Sequence, residues 1–154
     1  MKQKIFNWLN AIDRNENVPS SVTAFNIGIF EQEEGYCIYL TGSDVYDADN
    51  DDWACDVDFE PSDKYLPLAG PDIKSMEWEE FQKMIVEIVS DYLDTVVKKG
   101  TSIFADRVVT VGFDDGELVR IKPGVGRTDE KGHKTSFGSL FSKIKGLIGS
   151  GRKL

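Results

Sequence analysis

The chain is poor in the residues that carry chemistry. Its 154 residues hold one histidine, His133, and two cysteines, Cys37 and Cys55. One imidazole and two thiols without paired spacing do not make a zinc site. A Cys–His nucleophile pair would have to bring His133, which lies in a polar Gly-rich segment beside Lys131 and Lys134, onto a strand cysteine. There is no GxxxxGK[ST] phosphate loop and no GxGxxG, and Gly124-Val125-Gly126 alone carries no such meaning. Carboxylate pairs can hydrolyse glycosides, but so acidic a chain offers many chance pairs. No apolar run approaches the roughly 20 residues of a membrane span. Lys2 and Lys4 are followed by no continuous apolar stretch, because Asn7, Asn10 and Asp13 interrupt it. No secretory signal is therefore expected. Two cysteines suit a reducing, cytoplasmic compartment without disulfides. Both read as small buried hydrophobes, with a bridge as the alternative if their strands lie side by side. No catalytic residues, metal or cofactor are expected.

What the chain has is charge, unevenly placed. Met1 to Asp115 carries 24 acidic and 9 basic residues, a net of −15, and Gly116 to Leu154 carries 3 and 9, a net of +6, which together give the −9 of the whole. Such asymmetry speaks to partners, not to fold. At this length, with 40% hydrophobic residues, the chain can bury a core as one domain.

Ile5, Trp8, Leu9 and Ile12 sit at helical spacing and predict a helix over 2–13, ended by the turn formers between Asn15 and Ser21. Ala24 to Phe30 alternates, with Gly28 marking close packing or a bulge. Tyr36 to Leu40 is apolar on both faces, as in a central strand. The five residues from Glu31 to Gly35 predict a hairpin between these strands. Trp53, Cys55, Val57 and Phe59 alternate with Asp56 and Asp58 and predict a third strand. Pro61, Pro67, Gly70 and Pro71 mark an irregular connection. Ser75 offers an N-cap to a helix over about 76–98, whose stripe is Trp78, Phe81, Ile85, Ile88, Val89, Tyr92 and Val96. Glu77, Glu79 and Glu80 suit its first turn, Lys98 and Lys99 its end, and Gly100 its termination. Val108–Phe113 and Glu117–Ile121 flank Asp114-Asp115-Gly116, which predicts a type I′ hairpin. The expected fold is α+β: a mainly antiparallel sheet of about five strands, order αβββαββ, with one long and one short helix packed on it. Residues 1–123 form the domain and 124–154 a basic C-terminal extension, helical from about 136.

Between Asp44 and Asp63 there are nine carboxylates and no Lys or Arg. Calcium is one reading, since Asp47, Asp49 and Asp51 take positions 1, 3 and 5 of an EF-hand-like loop and Asp58 position 12, but Asp52 stands where the sharp turn wants Gly. A solvated face with Trp53 and Phe59 turned into the core is another. The third is a surface for a basic partner, whose cations relieve the repulsion among crowded carboxylates and are steered to them. There Asp44, Asp47, Asp49, Asp51, Asp52, Asp56 and Asp58 supply charge, with Tyr46 or Trp53 as the anchor if exposed. Direct nucleic-acid binding by the acidic body is not expected.

In the basic extension Phe137, Leu140, Phe141, Ile144, Leu147 and Ile148 form a stripe beside Lys143 and Lys145. Gly138 and Gly146 weaken its helix by about 1 kcal/mol each. The extension has four readings: folding back on the acidic body, lying on an anionic membrane, binding nucleic acid, or entering a partner's groove.

The Asp-rich stretch ending Asp51-Asp52-Trp53-Ala54 and the hairpin Gly112-Phe113-Asp114-Asp115-Gly116-Glu117-Leu118, with the small size, acidity and α+β order, resemble small bacterial immunity proteins of polymorphic or contact-dependent toxin systems. The resemblance covers about residues 20–121. It implies cytosolic residence and a tight complex with one toxin domain. The expected function is thus a non-enzymatic inhibitor of a cationic toxin or nuclease. The alternatives are a membrane-peripheral or scaffold protein acting through the extension, and a small calcium-binding or carboxylate-dependent enzyme.

Overall fold

A computed structural model describes residues 1–122. His133 and the basic extension, with its stripe from Phe137 to Ile148, lie outside the described residues. The fold is α+β, built on a five-stranded mixed sheet. Helix α1 (Lys2–Asn15) buries Ile5, Trp8, Leu9 and Ile12. Strands β1 (Ala24–Gln32) and β2 (Gly35–Ser43) form a hairpin, β3 (Tyr65–Ala69) pairs with β2, and the short α2 (Pro71–Lys74) leads into α3 (Trp78–Val96). Then come β4 (Val108–Phe113) and β5 (Val119–Lys122), giving the sheet order β3-β2-β1-β4-β5.

Three of the four pairings are antiparallel, and β1–β4 is parallel. Parallel neighbours need a long crossover. Here α3 carries the chain from the β3 edge across one face of the sheet to the far side of β1. Alternation along the strands turns Phe25, Ile27, Ile29, Ile38, Leu40, Val109 and Val111 toward α1 and α3, where they meet Leu9, Phe81, Ile85 and Val89. Both helices lie on this face. Gly100 closes the helical segment with φ 68°, a value that side chains rarely tolerate.

Several local expectations change. The segment Trp53–Phe59 is not a strand: Asp51–Cys55 is a 3₁₀ turn, and Phe59 makes one bridge, to Gly42. Short side chains capture the backbone donors first. The Asn50 oxygen accepts the N–H of Asp52 at 3.0 Å and the Asp47 carboxylate that of Asp49 at 2.8 Å, which favours turns over ladders. Phe59 joins the helix-side core and Trp53 the opposite face, so their period-two spacing marks no single strand. The third strand is β3, inside the stretch read as irregular. Pro67 sits opposite Cys37 there, as an edge strand allows.

Ser75 ends α2, and Glu77 stands at the N-cap of α3. The first hairpin is tighter than five residues, since Gln32 already faces Gly35. The second lacks a type I′ turn, because Gly35, Gly70 and Gly100 alone have positive φ among the described residues. Instead the N–H of Gly116 donates to Phe113 O at 3.0 Å, and Asp51 takes the N–H of Leu118 at 2.9 Å, so β5 starts later than expected. Cys37 is buried but Cys55 is exposed, and both are free thiols.

Candidate functional site

The sheet face opposite the helices is where the sequence breaks its apolar pattern. Thr41 of β2, Asn26 of β1, Thr110 of β4 and Arg120 of β5 stand in register as one polar row across four strands. The Thr110 hydroxyl donates to Asn26 Oδ1 at 3.0 Å. Beside the row Gly28 faces Gly112. A methyl on Gly28 would lie 2.1 Å from the Tyr39 ring, and one on Gly112 would lie 2.8 Å from Glu117 O. The two glycines thus let the Tyr39 ring and the second hairpin lie flat on the sheet.

The acidic loop 44–58 closes over one end of the row. Trp53 is 3% exposed and packs with Ala24 and Val108. Tyr46 meets it edge-to-face at 5.3 Å and lies under the Arg120 guanidinium, also at 5.3 Å. Trp53 therefore holds the loop from beneath and is not an exposed anchor; Tyr46 is half-buried. The seven loop aspartates all face solvent. Some also shape the loop: Asp58 accepts the N–H of Asp44 at 2.8 Å, and Asp51 ties the loop to the second hairpin. The ion pairs Lys2–Asp91, Lys64–Glu60 and Lys74–Glu34 lie elsewhere, and among the described residues no Lys or Arg forms an ion pair with a loop aspartate. Nor, among them, do three or more His, Cys, Asp or Glu side chains gather as a metal site.

Between this loop, the Lys64–Tyr65 edge and the second hairpin the sheet face stays open as a cleft of about 580 Å³. Asn26 and Thr41 line its floor, Ala54, Val57 and Tyr39 its walls, and Asp52 and Asp114 its rim. The Tyr39 hydroxyl donates to Asp114. Lys64 pairs with Glu60, which raises its pKa, and its ammonium lies over the Tyr39 and Tyr65 rings at 5.6 and 5.1 Å. Sequence reasoning passed over Asn26, Tyr39, Thr41, Lys64 and Asp114. The available signal was a polar residue inside each apolar strand: Asn26 in β1, Thr41 in β2 and Thr110 in β4.

Burial, reinforced by Asp114, raises the pKa of Tyr39 above its ordinary 10.0, and burial with Asp13 does the same to Tyr92. The folded chain then keeps protons that the unfolded chain releases near pH 10. This stability is full below that pH and is lost progressively as pH rises from there through the raised pKa of the folded chain. The expected result is a urea midpoint that falls between about pH 9 and 11, with a shallower fall for the variant Tyr39→Phe/Tyr92→Phe. An equal slope in both proteins would contradict it.

Among the described residues no helix is long and apolar enough to cross a membrane. No protein-family model, curated protein or solved structure matches this chain.

Proposed function

We propose that the protein is a non-enzymatic binding protein that captures a basic partner through its acidic loop, as an immunity protein neutralises a cationic toxin or nuclease domain. The observation that carries this reading is the display of seven aspartates outward, without an ion-pair partner among the described residues, on a loop rooted by a buried tryptophan. Crowded carboxylates repel one another, and a cationic surface relieves that repulsion while its approach is accelerated by the field. The same field repels nucleic acid from this face.

The test is the quadruple variant Asp44→Asn, Asp47→Asn, Asp49→Asn and Asp56→Asn, four exposed positions outside the cleft lining, which keeps one side-chain oxygen acceptor at each place but removes the charge. Basic proteins retained on the immobilised full chain at low salt are identified by mass spectrometry, and their association rates measured. The variant should associate about tenfold more slowly, with a weaker salt dependence. Co-expression of the wild type should protect cells from the captured partner's toxicity, and the variant should protect less. An unchanged rate and salt slope would remove the loop from the function.

A further inference from the structure

The floor of the cleft holds two polar groups that face the open space above them. Asn26 and Thr41 are 5% and 4% exposed and stand directly opposite each other on β1 and β2. Asn26 Oδ1 accepts from Thr110, but among the described residues the Asn26 amide N–H₂ and the Thr41 hydroxyl meet no protein partner. Neither group is among the fully buried unpaired polar atoms of the described residues, so both reach the cleft, where a ligand or water can pair with them. These two open onto the cleft, and an apolar residue at either place would have continued the strand pattern.

Three chemistries converge above them. The floor offers donors, which call for a carbonyl oxygen. The walls offer the Tyr39 ring, Ala54 and Val57, which suit a flat or aliphatic stem. The rim offers the carboxylates of Asp52 and Asp114, which call for a cation. Lys64 already covers the Tyr39 and Tyr65 ring faces, so a second cation is directed to the rim carboxylates and not to the rings. A peptide loop bearing arginine supplies all three features, and its planar guanidinium can serve two carboxylates where a lysine ammonium is a point charge. The volume of about 580 Å³ falls within the range of sites that enclose a ligand.

We infer that this cleft, and not the loop surface alone, seats one arginine-bearing loop of the basic partner, with the guanidinium at Asp52 and Asp114 and a backbone carbonyl on Asn26 and Thr41. The inference rests on the proposed capture of a basic protein. The loop aspartates then set the rate of encounter, and the cleft sets which partner stays bound.

The test uses the full chain, isotopically labelled, titrated with acetyl-Gly-Arg-Gly-amide to about 10 mM, a concentration that reaches millimolar affinities. The matching citrulline peptide, isosteric but neutral, is the control. The Asn26 side-chain amide and the Thr41 backbone amide should shift saturably with the arginine peptide, and roughly fivefold more weakly, or not at all, with citrulline. Ala54→Trp, which fills the cleft from its wall, should abolish the response while the rest of the spectrum stays dispersed. Asn26→Ala, which removes the donor without adding bulk, should weaken it several-fold. Equal binding of citrulline, or no saturable shift at Asn26, would overturn the inference. Shifts confined to Asp47 and Asp49 would overturn the cleft and leave the acidic-loop reading standing. A saturable cleft response, with the quadruple variant still binding its partner at the wild-type rate, would keep the cleft and remove the loop.

Discussion

Trp53→Ala should lower the stability of the protein by about 3–5 kcal/mol, the usual range for removing a buried Trp or Phe ring, and should release the acidic loop. The ring is 3% exposed, and its cluster holds the loop against Ala24 and Val108, the first residues of β1 and β4. Most of the rest of the loop is exposed, shaped by short-range turns at Asp47 and Asn50 and by the Asp44–Asp58 bond across its ends. Those turns shape the chain but bury little apolar surface. Without the indole, the ties left at the middle of the loop include the Asp51–Leu118 bond and the Arg120–Tyr46 contact, while the Thr23 hydroxyl on Asp44 O and the Asp58 N–H on Gly42 O hold its two ends. Urea denaturation measures the cost, and hydrogen exchange at the amides between Asp47 and Asp58 reports the release. The quadruple Asp→Asn variant is the contrasting case. It relieves repulsion and should leave the midpoint equal or higher, so the two changes separate what anchors the loop from what the loop displays. A Trp53→Ala cost below about 1 kcal/mol would show that the loop is held by something other than its tryptophan.

That separation also shows where sequence reading ends. The stripes of α1 and α3 were legible because a helix buries one face at a fixed period, and Ile5, Trp8, Phe81 and Val89 obey it. The strands β1, β2 and β4 were legible as elements but not as neighbours: nothing local to Ala24–Gln32 or Val108–Phe113 states that they run parallel side by side, because α3 decides it. The Trp53–Phe59 segment failed for a different reason. Its alternation came from one residue for each face of the sheet, while aspartate and asparagine side chains turned the backbone between them. The aspartates were legible as charge, and their exposure fits any surface reading. The cleft was not legible, because Asn26, Thr41 and Thr110 become a row only once three strands are laid in register.

The most distant such relation gives the second large effect. Asp13→Ala should cost about 3 kcal/mol and lower the melting temperature by roughly 10 °C. In sequence Asp13 merely interrupts an apolar stretch near the N-terminus. In the fold its carboxylate accepts the Ser102 hydroxyl and the Ile103 N–H, each at 2.8 Å, and the Tyr92 hydroxyl at 3.3 Å. One side chain thereby joins α1, α3 and the loop that delivers β4 to β1. Hydrogen bonds to a charged group contribute about 1.5–3 kcal/mol each. They share one acceptor group and will not add fully, so the expected loss is well under their sum. Alanine also leaves the Ile103 N–H without its acceptor in a part-buried place. Asn keeps one carbonyl oxygen for that N–H, so Asp13→Asn should cost roughly half as much. Arg107 braces the same loop from the other side, donating to Ile103 O at 2.7 Å and Val22 O at 2.8 Å. If Asp13→Ala costs less than about 1 kcal/mol, Arg107 alone positions the crossover. If it costs the full amount, the parallel pairing of β1 with β4, and with it the polar row beneath the cleft, depends on a carboxylate near the end of the first helix.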